Sequence, residues 1–361
     1  MSRPGARRDV AAPGRDGEPQ QLELMDLPRP LFAATPSRLT NFECPRRYWF
    51  TYLVRPSVPK GPPWAHNTVG AAVHVALARW WQLPAGQRTP EAGVSLVHRH
   101  WQTDGFADQT QADAWRDQAG EWVRSYLRDE ITRGDTAREP RGVERTVSVR
   151  TNRLAISGRV DRIDERPRHD DHDPEDDGGP TGHTELQGPV GSAATDDSQS
   201  VAEARRTRPL EPAMPGPRPQ LATTERELVI VDYKTGRSRL DGDDARGSLA
   251  LALYAMAAER TLHQRCRRVE LHHLPTGTVA AFEHTDETLA QHLRRAEQAA
   301  LDIMAAQDTV EAGADPDEVF EPVTGPGCSW CDYRRLCPAG QAASRPRESW
   351  AGLGELDAAR N

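Results

Sequence analysis

"GRVDRIDER", residues 158–166, and "ERELVIVDYKTG", residues 225–236, decide the fold once they are read as one unit. The first alternates apolar and polar side chains as a half-buried strand does, and the second is an apolar strand ending in Asp232, Tyr233 and Lys234. Between them, roughly 168–224 is rich in Asp, Gly and Pro and almost free of large apolar residues. Such a composition does not offset its own ordering entropy, so this stretch reads as a disordered acidic insertion. Without it the two strands form a plain antiparallel hairpin, whose loop normally needs only about 2–5 residues.

The lysine is the unusual part. Lysine stands only at Lys60 and Lys234, and every other basic side chain of the Lys+Arg total is arginine. Arginine is a permanently charged fork; lysine is a compact point charge with a tunable pKa. A lysine at a strand end is ordinarily a surface residue, and its rarity here weakens that reading. Positions two apart on a strand share a face, so Asp232 and Lys234 project together, while Asp161 arrives from the neighbouring strand. Two carboxylates and an ammonium at one sheet edge suit phosphodiester hydrolysis. The carboxylates hold Mg²⁺ or Mn²⁺, which acidifies a water and neutralises phosphate charge. The lysine orients or deprotonates that water, or stabilises the developing charge.

Working outward, Thr35 caps a helix that has Pro36 at its first position. Further helices are expected in "NTVGAAVHVALARWWQL" (67–83) and "DAWRDQAGEWVRSYLRDEIT" (113–132). "VERTVSVRT" then opens a strand meander that runs into the hairpin. A helix in "RGSLALALYAMAAERTL", two strands in "RRVELHHLPTGTVAAFEHT" and a long amphipathic helix from Asp286 complete the domain. Helices, then a meander, then helix, strands and helix indicate one mixed α/β domain with a helical N-terminal layer. It is expected over 31–340, with a disordered tail at 1–30 and a polar tail at 341–361.

The chain has 361 residues and a net charge of −8, which argues against a basic DNA-coating protein. The acid is concentrated between 166 and 226, however, leaving a nearly neutral remainder able to carry a basic groove. No apolar run approaches the ~18 residues of a membrane span. The N-terminal "MSRPGARRDVAAPGRDGEPQ" has arginines but no apolar core, so it is not a secretory signal. A cytoplasmic protein without structural disulfides is the expectation.

Cysteine supplies a second, independent signal. Cys328, Cys331 and Cys337 form C-x2-C-x5-C followed by a proline, and Cys44 lies far upstream in "ECPRRYWF". One plus three thiolates suit a [4Fe–4S] cluster better than a zinc ribbon, which normally shows two C-x2-C pairs, although a four-thiolate zinc site has the same ligand count. Cys266, at a strand start, reads as a small core residue.

Together, "SRLTNFECPRRYWFTYL", "GAAVHVALARW", "GRVDRID", "VIVDYKTG", "LALYAMA" and "CSWCDYRRLC" resemble the PD-(D/E)XK nuclease superfamily. The resemblance is to its RecB-like exonuclease group, some of whose relatives, such as AddB subunits, carry an iron–sulfur staple. It implies a restriction-endonuclease-like mixed sheet flanked by helices, closed by a C-terminal cysteine-rich segment. It implies Asp161 and Asp232 as metal ligands, Lys234 as the catalytic lysine and His74 as a further ligand. Cys44, Cys328, Cys331 and Cys337 would hold the cluster. The implied activity is Mg²⁺- or Mn²⁺-dependent cleavage of DNA, single-stranded or at ends, in repair or recombination. The chain departs from the family at Ala250, where glutamine usually stands four residues before the tyrosine, here Tyr254. A non-catalytic DNA-binding partner of a helicase is the alternative.

Arg46 and Arg47, beside Tyr48 and Trp49, offer phosphate pairing next to stacking rings, a single-strand binding device, although such aromatics are as often core. Tyr254 is a further candidate for DNA contact. Glu144 reads first as a solvated strand end, and second as an extra carboxylate near the site. "SVPK" at 57–60 and "KTG" at 234–236 mimic penicillin-binding motifs, but Pro59 spoils the helix start that chemistry requires. No G-x4-G-K-[ST] loop occurs, so ATP-driven unwinding would fall to a separate helicase subunit.

Overall fold

A computed structural model describes residues 31–134, 139–168 and 226–354. The expected N-terminal tail and, apart from Arg168, the acidic insertion lie outside the described residues. The chain runs β1 (Phe32–Ala34), α1 (Pro36–Asn41), α2 (Pro45–Tyr48), a π-helical turn, α3 (Ala65–Trp81), α4 (Pro90–Arg99) and α5 (Gln109–Arg133). Then come β2 (Gly142–Arg150), β3 (Leu154–Pro167), β4 (Arg226–Lys234), α6 (Gly242–Gly247) and α7 (Leu249–Leu262). It ends with β5 (Cys266–His273), β6 (Thr278–Glu283), α8 (Asp286–Glu311), α9 (Pro316–Val319) and α10 (Pro338–Ala343).

The strands make one mixed sheet in the order β1-β3-β4-β5-β6, with β2 also paired to β3. β3 and β4 pair antiparallel from Pro167↔Arg226 to Arg162↔Val231, the hairpin that appears when the insertion is set aside. β4 then pairs parallel with β5 through the α6–α7 crossover, and β5 turns back antiparallel into β6 at Gly277, whose φ of +68° suits a residue without Cβ. β2 runs along one edge of β3, so β1 and β4 share the other edge, β1 at residues 154–156 and β4 at 162–167.

Helices cover both faces because β4 is apolar on both. Val229, Val231 and Tyr233 pack under α3, α4 and α5 with Val73, Leu77, Trp80 and Val123. Leu228 and Ile230 pack under α7 with Leu251, Ala255 and Ala258. A third cluster joins Phe32, Leu39 and Tyr48 to Leu253, Ile303 and Phe320, holding α1 and α2 against α7 and α8. The mixed α/β sheet flanked by helices that the sequence implies is the observed architecture. No helix among the described residues is long and apolar enough to cross a membrane.

The segment after 340, expected as a polar tail, lies against the domain as far as it is described, to residue 354. Ala65 N donates to Ser349 O at 3.0 Å, Ser349 Oγ donates to Gly105 O at 2.7 Å, and Leu353 joins the core beneath α3. Its polar composition hid a few anchoring contacts that no periodicity announces.

A buried ion network pins α5 to the hairpin. Arg162 is 1 % exposed, and its Nη1 donates to Glu130 Oε2 at 2.9 Å, Tyr126 Oη at 3.1 Å and Tyr233 Oη at 3.3 Å. Its Nη2 donates to Asp164 Oδ2 at 3.0 Å. Burial weakens a charged guanidinium, but the surrounding tyrosines and carboxylates more than compensate and raise the Arg162 pKa further. This network flanks Asp161 and holds the Tyr233 ring, whose backbone N–H and C=O meet Asp161 and His74.

Candidate active site

The β3–β4 ladder stops at Arg162↔Val231, and one further step of the same register sets Asp161 opposite Asp232. There the strands part. The Asp161 carboxylate replaces the lost ladder bond, since Tyr233 N donates to Asp161 Oδ2 at 3.0 Å. On the other edge of β3, the β2 register sets Glu144 opposite Asp161. Three carboxylates therefore stand in one row across three strands.

α3 brings the imidazole. Gly70 and His74 lie four apart and share a helix face. A Cβ on Gly70 would come within 3.2 Å of Thr235 Oγ1, so glycine permits the close approach of α3 to the end of β4. His74 Nδ1 then lies 3.2 Å from Asp161 Oδ2, and its Nε2 lies 3.1 Å from Tyr233 O. In the protonated ring Nε2 donates to that carbonyl and Nδ1 to the carboxylate; loss of the Nδ1 proton leaves a free nitrogen directed at Asp161. His74, Glu144 and Asp161 bring three ligand atoms within 4.8 Å of one another, the one such group among the described residues.

Asp232 and Lys234 do project together, as their spacing in the strand requires. Lys234 Nζ is 2.5 Å from Asp232 Oδ2. Tyr254, from α7, reaches the same region: a Cβ on Gly158 would lie 2.2 Å from its Cε1, so Gly158 makes room for the ring. Burial, followed by the charges of Asp232 and Asp161, raises the Tyr254 pKa.

The carboxylates repel one another. Burial raises the Asp232 pKa, Lys234 opposes, and the Asp161 charge raises it again. Burial and then Asp161 also raise Glu144, with Arg159 opposing. For His74 burial acts downward, but the hydrogen bond and charge of Asp161 and the charge of Asp232 prevail and raise it. A set of oxygen donors plus one imidazole, holding more negative charge than its protein neighbours neutralise, fits a hard divalent cation.

Glu144 is the residue that sequence reading undervalued. It is not a solvated strand end but half-buried, inside β2, with a left-handed φ of +49°. A non-glycine residue in that region costs about 1–3 kcal/mol. Its partner Arg159, at 2.7 Å, has a side chain 70 % exposed, and exposed ion pairs are worth about 0–1 kcal/mol. No periodicity in "GVERTVSVR" marks such a turn.

The four cysteines of the expected cluster also meet. Cys44, Cys328, Cys331 and Cys337 line one cavity with Arg46, Arg47 and Arg334, although no three of their sulfurs lie within 4.8 Å. Burial and the neighbouring Cys44 raise the Cys331 thiol. Trp64 Nε1 donates to Asp332 Oδ1 at 3.1 Å and Trp49 stacks on Phe320 at 5.0 Å, so the two ends of the domain are joined there by rings as well. Arg46 pairs with Asp317, and Arg47 Nη2 donates to Thr40 O at 3.0 Å; both arginines belong to this cavity. Cys266 is buried at the start of β5, its thiol pushed far up by burial. It is a core thiol.

No curated protein matches the chain. A family model does, over residues 33–173 and 220–338, the two blocks falling on either side of most of the acidic stretch and spanning well over half of the sequence. With the sheet, the split hairpin and the D-x-K edge in place, that match identifies the chain as a member of the PD-(D/E)XK nuclease superfamily.

Proposed function

We propose that this protein is a divalent-cation-dependent deoxyribonuclease of the RecB-like group, acting as an exonuclease on single-stranded DNA or DNA ends. One observation carries the reading: the Asp232–Lys234 pair stands on a strand edge whose register sets Asp232 opposite Asp161, which His74 approaches from α3. Asp161, Asp232 and His74 would hold Mg²⁺ or Mn²⁺. When bound, the cation supplies positive charge at the scissile phosphate and makes water a better nucleophile at neutral pH.

The protein's own groups do the rest. Asp161 is fixed by the Tyr233 N–H, so its free oxygen is held in place before any substrate arrives. Lys234 is a proton donor beside a carboxylate, suited to orienting the attacking water or to meeting charge that develops on phosphate. Tyr254, over Gly158, offers a ring on which a base could stack or a hydroxyl for phosphate. Arg46 and Arg47 line the cysteine cavity, where their charges could meet phosphate.

The thiol cavity fits an iron–sulfur cluster of the AddB type. Four cysteines line it and three arginines surround it, positive charge that would offset an anionic cluster. A four-thiolate zinc site has the same ligand count, so metal analysis of the protein decides between the two. Cys44→Ser, Cys328→Ser, Cys331→Ser and Cys337→Ser should each remove visible iron–thiolate absorption from anaerobically prepared protein, whereas Cys266→Ser should keep it. Stoichiometric zinc without iron would overturn the assignment.

DNA repair or recombination in the cytoplasm is the setting this chemistry suits, with unwinding left to a separate helicase. The exonuclease reading has its own test. Linear single-stranded DNA should be degraded in Mn²⁺ and a covalently closed circle of the same sequence should persist. Equal loss of the circle would make the enzyme an endonuclease.

A further inference from the structure

We infer that Glu144 is a ligand of the active-site cation, joining His74, Asp161 and Asp232. This rests on the nuclease reading above and extends its ligand set. Glu144 contributes to the one group of three ligand atoms within 4.8 Å, and Asp232 does not. The latter's buried Oδ2 lies 2.5 Å from the Lys234 ammonium but has no hydrogen-bond partner among the described residues, so it stays available as a further ligand.

The backbone argues the same way. A φ of +49° inside a strand interrupts β2, and the ladder to β3 skips this residue while Val143 and Arg145 on either side stay paired. An ordinary extended glutamate at this position would keep the ladder. An exposed ion pair with Arg159 is too weak to account for a left-handed glutamate. A carboxylate that must face His74 and Asp161 from the neighbouring strand does account for it, since functional sites are where such strain is retained.

Calorimetric titration of the full-length protein with Mn²⁺ alone, without DNA, tests this. Glu144→Gln and Glu144→Gly should each weaken Mn²⁺ affinity by at least about tenfold, since even groups that only support a ligand are worth about 10–100-fold. Glu144→Gly should in addition raise the thermal midpoint of protein kept in EDTA, because glycine relieves the left-handed φ. Arg159→Gln, which breaks only the ion pair, should leave Mn²⁺ affinity within about threefold. Wild-type affinity in both Glu144 variants, with Asp161→Asn weakened, would overturn the Glu144 assignment and leave the nuclease reading standing. So would an equal loss in Arg159→Gln, which would reduce Glu144 to a structural partner. A wild-type protein that binds no Mn²⁺ would overturn both.

Discussion

Lys234→Ala should lower DNA cleavage by at least ~100-fold, the lower end of what one positioned proton-transfer group contributes. Mn²⁺ binding should survive or tighten. The ammonium lies 2.5 Å from Asp232 Oδ2, so removing it frees a carboxylate oxygen and removes a competing cation. Asp161→Ala should behave differently. It removes an oxygen shared by the His74 approach and the Tyr233 N–H, so affinity for Mn²⁺ and cleavage should fall together. Single-turnover cleavage measured beside calorimetry separates the two. A Lys234→Ala enzyme that loses Mn²⁺ affinity as severely as Asp161→Ala would show that the lysine props up the site rather than acting on the reaction.

Arg162→Met should destabilise the fold by about 3–5 kcal/mol, the cost of breaking a buried ion pair from one side. Glu130, 1 % exposed, would keep only its bond from Arg133 at 2.6 Å, and Tyr126 and Tyr233 would each lose a donor. Removing both charges should cost less, so Arg162→Met with Glu130→Leu should recover part of the loss. Urea unfolding reads both. A loss below about 1 kcal/mol in the single variant would mean that water or neighbouring groups satisfy Glu130, and that the network is dispensable. Because Arg162 follows Asp161 and holds the Tyr233 ring, the single variant should also lose cleavage at temperatures where it remains folded.

Much of this was legible in the chain because it is local. The D-x-K spacing needs only the strand period, and the alternation in "GRVDRIDER" and "ERELVIVDYKTG" pairs two strands across more than fifty intervening residues. Thr35 with Pro36 announces α1, and Thr35 Oγ1 does accept from Arg38 N at 3.1 Å. Thr89 with Pro90 announces α4 by the same device, a signal the sequence reading passed over. His74 was legible only through its motif, since one histidine on an apolar helix says nothing by itself. Glu144 was legible only as a second reading, because nothing local in "GVERTVSVR" announces its left-handed φ. Three-residue β1 and the docked segment through Leu353 were hidden because each depends on a surface the rest of the fold provides.

The most direct test of the central claim is the cleavage rate of end-labelled single-stranded DNA by protein stripped with EDTA and then restored with Mn²⁺, for wild type and Lys234→Arg. Lys234→Arg keeps the charge but replaces a point ammonium with a planar fork. Stripped wild type should be inactive and should recover with Mn²⁺, while Lys234→Arg should stay at least ~100-fold slower with the cation present. Cleavage that persists in EDTA, or a Lys234→Arg enzyme as fast as wild type, would contradict a cation-dependent reaction centred on Asp161, Asp232 and Lys234.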